Sequence, residues 1–241
     1  MTVAGNIAEI EERIQKACDA AGRKREEITL MGVSKFQPIS MVKEAWNAGI
    51  RCFGESRVKE GIEKFEDFRK EHSGLQMQLH LIGSLQRNKA KTAASFFDCI
   101  QSVDRDALIL ELGKHTAQVA GQNDEQAGRQ QLAVLLELHT GEESKSGFKS
   151  NDDLFRAAEL VLGSAGLKPD GLMTMAPYTR NEDAIRSSFR LLVKAQSELE
   201  KRFPPAENWS CLSMGMSNDF EIAIKEGATM LRIGSLIFGG R

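Results

Sequence analysis

The segment Ile28-Thr-Leu-Met-Gly-Val-Ser-Lys35, followed by residues 36–49, decides the fold of this chain. Its first half is an apolar run of strand length that ends at Lys35. Its second half begins a helix at Pro38, places apolar residues at helical spacing and stops at Gly49. A strand followed directly by a helix is the repeating unit of α/β proteins with parallel strands.

The same unit recurs along the rest of the chain. Further strand candidates lie at 50–54, 77–83, 97–103, 132–139, 170–175, 209–214 and 229–233. Helical periodicity follows at 55–71, 87–95, 104–119, 151–163, 181–203 and 218–226, and one more helix precedes the first strand at 6–21. This alternation predicts a single (β/α)8 TIM-type barrel domain over residues 1–241, with an extra N-terminal helix. An open doubly wound sheet is the alternative, but the glycine-rich nucleotide motifs of such sheets do not occur.

The composition excludes several classes of function. The chain has 32 Lys and Arg against 34 Asp and Glu. It therefore lacks the excess of basic residues that is typical of a nucleic-acid-binding protein. No apolar run reaches the length of a membrane span. The four cysteines form no C-x-x-C pair, which indicates reduced thiols rather than a metal site. We therefore expect a cytoplasmic protein that binds neither nucleic acid nor membrane and carries no metal.

Polar and small residues gather where the predicted strands end. In a barrel this is the functional face, because the β-to-α loops meet there. Lys35 ends the first strand, and a lysine at a barrel mouth is suited to form a Schiff base with a carbonyl group. The alternative is a lysine that merely reaches solvent from a strand end.

The loops after the seventh and eighth strands predict a phosphate site. Ser213-Met-Gly-Met-Ser-Asn218 leaves the seventh strand, and Gly215 permits a close backbone approach there. At the end of the eighth strand, the N–H groups of Gly234 and Ser235 and the Ser235 hydroxyl form a cradle for an anion. These two loops are the recurrent phosphate site of this barrel fold.

Arg232 lies in an otherwise apolar strand, two residues before that cradle. Its guanidinium only donates, so it would hold a pyridine nitrogen unprotonated and weaken the ring as an electron sink. A surface ion pair is the alternative. Together with Lys35 and the cradle, Arg232 favours pyridoxal 5'-phosphate (PLP) as the ligand. These residues also leave open a Schiff-base aldolase, or another barrel enzyme for a phosphorylated ligand, that uses no cofactor.

Seven motifs extend this pattern over nearly the whole chain: Val33-Ser-Lys35, Phe53-Gly-Glu55, His80-Leu-Ile-Gly-Ser-Leu-Gln-Arg-Asn-Lys89, Ser144-Lys-Ser-Gly147, Gly171-Leu-Met173, Leu212-Ser-Met-Gly-Met-Ser217 and Arg232-Ile-Gly-Ser-Leu-Ile-Phe-Gly239. In this order they resemble the pyridoxal phosphate homeostasis proteins, which are single-domain relatives of the barrel domain of alanine racemase.

The resemblance implies that Lys35 carries PLP as a Schiff base and that Arg232 faces the pyridine nitrogen. It implies further cofactor contacts: phosphate contacts from Ser213, Gly234 and Ser235, with Met214 and Gly215 close by and Ser56 near the cofactor. The family commonly has Asn where this chain has Ser56, which shortens a polar contact. It commonly has Thr at position 235, where Ser keeps the hydroxyl.

The resemblance also bears on catalysis. Alanine racemases carry a second, β-rich domain with an opposing tyrosine base, whereas this chain ends at Arg241, just after the last strand and its helical turn. Racemisation needs an acid and a base on opposite faces of the substrate carbon. Lys35 serves one face, and His80 and Tyr178 are the candidates for the other. We interpret His80 instead as a structural or loop-orienting residue and Tyr178 as a wall residue.

We therefore expect a non-enzymatic protein of intracellular PLP homeostasis, a monomer or weak dimer, with PLP-dependent apoenzymes as recipients of its cofactor. A weak PLP-dependent amino-acid racemase, with Lys35 as its catalytic residue, is the alternative. Lys145 is a further candidate for contact with an anionic group of the ligand.

Overall fold

Eight parallel strands close into a barrel in chain order, which confirms the predicted (β/α)8 fold. The computed structural model describes residues 2–72, 76–120, 131–141, 146–203 and 208–240, so Lys145 lies outside the described residues. The strands are β1 (Thr29–Val33), β2 (Cys52–Glu55), β3 (Gln78–Leu81), β4 (Cys99–Val103), β5 (Leu132–Glu137), β6 (Leu167–Met173), β7 (Cys211–Ser213) and β8 (Met230–Ile233). β1 pairs with both β2 and β8, which closes the barrel.

Helices follow the strands on the outside of the barrel. They are α2 (Ile39–Asn47), α3 (Val58–Glu71), α4 (Ala90–Phe96), α5 (Asp106–Ala120), α6 (Asn151–Leu162), α7 (Glu182–Arg202), α8 (Phe220–Lys225) and α9 (Ser235–Phe238). The extra helix before β1 is α1 (Val3–Ala21), as predicted. Its N-cap Thr2 accepts a hydrogen bond from the Gly5 N–H, and Gly22 ends it in the left-handed conformation. α1 packs against α2, α8 and α9, so it contacts both the first and the last strand–helix units of the closed barrel.

The predicted end of the first strand is wrong, and this concerns Lys35. β1 ends at Val33, and Lys35 lies two residues further on, in a turn where it is exposed. The Ser34 N–H still donates to the Gly54 carbonyl, at 3.1 Å. The chain then closes on itself, because the Gln37 N–H donates to the Ser34 carbonyl at 3.0 Å. The apolar run in the sequence therefore overestimates the strand by two residues.

The start of β6 was also misplaced. The strand begins at Leu167, three residues before the predicted one, and includes Pro169. A register shift between Val134 and Leu135 of β5 accommodates it, and Gly171 follows with a φ of 150°. A proline inside a strand argues against a strand from sequence alone, because it removes a ladder donor.

Apolar side chains fill two separate regions. The larger core lies between the strands and the helices, and smaller clusters built from strand residues fill the barrel itself, with Met31, Val33, Cys52 and Met230 in one of them. Cys52 and Cys99 are buried and Cys211 is half-buried. Burial raises the pKa of all three thiols, that of Cys211 to about 12. These cysteines are free thiols. Within the described ranges, no helix has the length and apolar character that a membrane crossing requires.

Candidate functional site

The residues predicted from sequence lie at the carboxyl ends of four adjacent strands. β7 and β8 pair with each other, β8 pairs with β1, and β1 pairs with β2. Residues 213–215 follow from β7, Arg232 and Ser235 from β8, and Lys35 and Ser56 from β1 and β2. The closed barrel thus brings together, at one half of its rim, side chains that are almost 200 residues apart in the chain.

Arg232 is a buried cation held by neutral acceptors. Its side chain projects into the barrel, where Nη1 donates to the Ser213 carbonyl at 2.6 Å and to Ser213 Oγ at 2.7 Å. Nη2 donates to the Thr174 carbonyl at 2.7 Å. No carboxylate of the described chain lies within ion-pair distance, and the Nε–H has no hydrogen-bond partner there either. The predicted alternative of a surface ion pair is therefore wrong, because Arg232 is only 5% exposed.

A chain of hydrogen bonds runs from Arg232 across the barrel to His80. Since an arginine can only donate, Ser213 Oγ accepts a hydrogen bond from it. The Ser213 hydroxyl in turn donates to Gln101 Oε1, at 2.7 Å. The Gln101 amide nitrogen, at 2.8 Å from His80 Nδ1, must then donate. His80 is therefore an acceptor at Nδ1, which requires the neutral ring with its hydrogen on Nε2.

The pKa values agree with this direction of donation. Burial lowers the pKa of His80 to about 4, with a smaller contribution from the positive charge of Arg69. Burial also lowers the pKa of Arg232 to about 10, against the opposing effect of Asp219 and Glu137. At neutral pH, Arg232 is thus charged and His80 is not, and the chain between them is polarised in one direction.

Gln101 was not singled out from the sequence. It lies in β4, and Ser213, its partner, lies in β7 on the opposite side of the barrel. The available signal was a lone amide in an otherwise small and apolar strand, at a position that alternation places toward the interior. Ser213 was expected at a phosphate, but its hydroxyl is buried and already occupied by Gln101 and Arg232.

Two turns next to Arg232 present free N–H groups and a pair of hydroxyls. Ser235 Oγ and Ser217 Oγ are 3.0 Å apart, so Ser217 joins the predicted Ser235 although sequence reasoning did not assign it. Within the described ranges, the N–H groups of Ser217, Gly234 and Ser235 find no hydrogen-bond partner. Glycine is required at 215, since a Cβ there would lie 2.6 Å from the Ala223 Cβ and φ is 95°. Met214 beside it is fully buried.

Lys35 stands apart from this buried group. Its ammonium is exposed and has no hydrogen-bond or ion-pair partner among the described residues. Ser56, at the end of β2, is half-buried, and Gly83 packs against its backbone, where a Cβ would come within 2.3 Å of the Ser56 carbonyl oxygen. The candidate site therefore combines a free amine with a buried cation and a group of free donors.

The far side of the rim holds a buried carboxylate that the sequence did not reveal. Glu137 ends β5, and its Oε1 accepts from Ser146 Oγ at 2.8 Å. Burial raises the pKa of Glu137, and the negative charge of Asp104 acts in the same direction. Tyr178, interpreted as a wall residue, is 87% exposed, and its place in the wall of the site stays a prediction. Tyr178 lies in the segment between β6 and α7.

The fold and the rim define a barrel of the alanine racemase N-terminal type. The family model of the alanine racemase N-terminal domain matches residues 6–241. An alanine racemase from Clostridium difficile 630 superimposes with a TM-score of 0.76 at 11% identity, over 100% of this chain and 57% of that one. At this identity the likeness concerns the fold.

A more specific relationship comes from full-length relatives. A pyridoxal phosphate homeostasis protein of Aquifex aeolicus (strain VF5) is 37% identical over 241 residues, covering 100% of this chain and 99% of the relative. PipY of Synechococcus elongatus PCC7942, solved with PLP bound, has a TM-score of 0.81 at 28% identity, over 99% of this chain and 100% of that one. The chain belongs to the pyridoxal phosphate homeostasis protein family.

Proposed function

We propose that this chain binds PLP at the rim formed by β7, β8, β1 and β2, and serves PLP homeostasis without robust catalysis. The observation that carries the proposal is Arg232, a buried guanidinium held only by neutral acceptors, directly before a turn rich in free N–H groups. The homeostasis names of the relatives and the PLP bound to PipY support it.

The described residues fit the two ends of the cofactor. The N–H groups of Gly234, Ser235 and Ser217, with the Ser235 and Ser217 hydroxyls, form a donor group suited to a phosphate. Met214 and Gly215 bring the β7 turn close to it. Because the Ser213 hydroxyl is bound to Gln101 and Arg232, we assign Ser213 to the ring end, where it orients the guanidinium.

Arg232 would face the pyridine nitrogen with its unpartnered N–H. A donor that keeps its proton requires that nitrogen to remain an acceptor. When bound, PLP supplies an aldehyde for amines and an electron sink whose strength depends on protonation of this nitrogen. Arg232 therefore supports the holding of the cofactor and disfavours carbanion chemistry.

Lys35 would hold the cofactor as a Schiff base. Its amine adds to the aldehyde carbon, and water leaves as the C=N bond forms, so the attachment is reversible by hydrolysis. Exposure of Lys35 keeps the amine accessible, and Ser56 lies near it at the next strand end. A reversible bond at an open rim suits storage and delivery to PLP-dependent apoenzymes.

The same proposal covers the rest of the expected organisation. Residues 1–241 form one PLP-binding barrel domain, a monomer or weak dimer, that works in the cytoplasm, where its cysteines stay reduced. Neither candidate for an opposing base is well placed to serve, since His80 is neutral and buried and Tyr178 is 87% exposed. We therefore assign no catalytic residue beyond Lys35.

Absorbance spectroscopy tests the proposal. The purified protein, incubated with PLP and freed of excess, should show a visible absorbance band that borohydride removes. Lys35→Ala should lack the band, whereas Lys43→Ala, a lysine of α2 paired with Glu71, should keep it. A wild-type protein that takes up no PLP would refute the proposal. Lys35-dependent loss of optical activity from an amino-acid panel would favour the weak racemase instead.

A further inference from the structure

Three charged side chains hold the backbone on both sides of Lys35. Lys64 of α3 donates from Nζ to the Ser34 carbonyl at 2.7 Å, to Glu55 Oε1 at 2.8 Å and to Glu60 Oε1 at 3.1 Å. All three donors of the ammonium are thereby used. Lys64 thus connects the residue before Lys35 to the end of β2 and the first turn of α3.

The two glutamates complete the attachment of the turn. Ser34 Oγ donates to Glu55 Oε1 at 2.7 Å, and the Phe36 N–H donates to Glu60 Oε1. Lys35 therefore lies between two neighbours that are each bound to the same group of charges. We refer to Glu55, Glu60 and Lys64 as the turn brace.

The brace is buried, although the lysine it supports is exposed. The side chains of Lys64 and Glu55 are 8% and 0% exposed, and that of Glu60 is 23% exposed. Glu55 Oε2 is buried and has no hydrogen-bond partner among the described residues. The charge of Glu55 is therefore compensated at one oxygen only, by Lys64 and Ser34, which fixes the direction in which the carboxylate points.

The turn needs such support because its backbone is strained. Phe36 has a φ of 64°, and among the described residues it is the one non-glycine residue with positive φ. This conformation costs free energy for a residue with a Cβ, and it persists only where the surroundings impose it. Two contacts impose this conformation on Phe36. Its N–H donates to Glu60, and the Arg57 guanidinium lies over its ring, 5.0 Å from the ring centre.

We propose that Glu60 and Lys64 are positioning residues that keep the strained turn in the shape that presents the Lys35 amine to the aldehyde of the cofactor. This inference rests on the proposed function of Lys35. It assigns a role to residues outside the rim, since the brace lies behind the turn and touches neither the phosphate donors nor Arg232.

Two ligands separate positioning from general stability. PLP has the aldehyde that Lys35 needs, whereas pyridoxine 5'-phosphate has an alcohol in its place and binds only through the phosphate donors and the ring. Glu60→Ala should weaken PLP binding about tenfold, the value of one charge-assisted hydrogen bond, and slow the appearance of the visible band. Binding of pyridoxine 5'-phosphate should stay within about twofold.

Matched variants isolate the cause. Glu63→Ala removes an exposed glutamate of the same helix and should bind both ligands as the wild type does. Glu60→Gln keeps the acceptor for the Phe36 N–H and should retain PLP affinity within about threefold. Phe36→Asn, combined with Glu60→Ala, should recover part of the lost affinity, because Asn adopts the left-handed conformation more readily than Phe.

The outcomes are distinct. If borohydride reduction of the PLP-loaded wild-type protein yields no stable adduct, the proposed function of Lys35 fails. If it forms the adduct but Glu60→Ala binds PLP unchanged, only the positioning role is refuted. Equal weakening of both ligands would also refute it, since that result indicates a general loss of structure. Selective loss of PLP binding, with recovery by Phe36→Asn, would establish the role.

Discussion

Lys35 follows β1 and Arg232 lies on the neighbouring strand β8, yet the protein treats these two cations in opposite ways. Arg232 is buried, and neutral acceptors fix three of its hydrogen bonds. Lys35 is exposed and unpartnered within the described chain, and the charges lie in the brace behind its turn. A residue that must orient a ring benefits from a fixed position. On the proposed function, Lys35 forms and breaks a bond and has to stay accessible, so its backbone is held instead.

The comparison also explains where ion pairs occur. A carboxylate against Arg232 would satisfy the guanidinium fully and compete with a ligand for its N–H groups. Carbonyl and hydroxyl partners hold the side chain and leave its charge available. Behind the Lys35 turn, no ligand is expected, and there the buried Glu55–Lys64 pair, at 2.8 Å, serves the backbone.

The largest effect is expected at the buried cation. Arg232→Met would leave the Ser213 and Thr174 carbonyls and Ser213 Oγ without their donor inside the barrel. We expect the free energy of unfolding to fall by about 3 kcal/mol, because buried acceptors that lose a charged partner are costly. Urea denaturation measures it, with the exposed Arg180→Met as the control, expected within about 0.5 kcal/mol. A loss at position 232 no larger than the control would contradict the assigned burial role.

A smaller effect should appear with pH at the other end of the hydrogen-bond chain. The pKa of His80 falls from 6.5 to about 4 on folding, so between these values the unfolded state binds more protons. Stability from neutral His80 is therefore complete above pH 6.5 and is lost as pH falls toward 4. Between pH 6.5 and about 4.5 the loss is about 2 kcal/mol.

The contribution of His80 must be isolated, because buried Glu55 and Glu137 have raised pKa values and act in the opposite direction. His80→Gln keeps an acceptor for Gln101 and does not titrate. As the pH falls over this range, the unfolding free energy of His80→Gln should decrease by about 2 kcal/mol less than that of the wild type. If the unfolding free energies of the two proteins changed in parallel with pH, His80 would not be kept neutral in the folded state.

The smallest effect is expected at Tyr178, since its side chain is 87% exposed. Tyr178→Ala should change the free energy of unfolding by less than about 0.5 kcal/mol and leave PLP affinity within about twofold. Thermal denaturation and an absorbance titration measure the two quantities. A large loss of PLP affinity would return Tyr178 to the site as the wall residue predicted from sequence.

The strand and helix alternation was readable from sequence because hydrophobic periodicity is local. The same holds for the loops around Arg232 and Ser235, which follow directly from strand ends. The end of β1 was placed two residues too late, at Lys35, since nothing local distinguishes Val33 from Ser34 as the last paired residue. The start of β6 was missed because tertiary pairing accommodates Pro169, against its ordinary preference.

Contacts across the barrel could not be predicted in the same way. Gln101 and Ser213 are 112 residues apart in the chain and meet only because β4 and β7 face each other across the closed barrel. Ser217 was part of a recognised motif, but its approach to Ser235 depends on how two turns close against each other. The brace is similar, since Lys64 reaches the Ser34 carbonyl and Glu55 only once α3 packs against the ends of β1 and β2.

The most direct test of this account is peptide mapping by mass spectrometry after borohydride reduction of the PLP-loaded protein. Reduction converts a Schiff base into a stable secondary amine, so the modified residue is identified without relying on absorbance. We predict a single pyridoxyl phosphate adduct, on Lys35, that disappears in Lys35→Ala. An adduct spread over several lysines, or located on another lysine while Lys35 stays unmodified, would contradict the account.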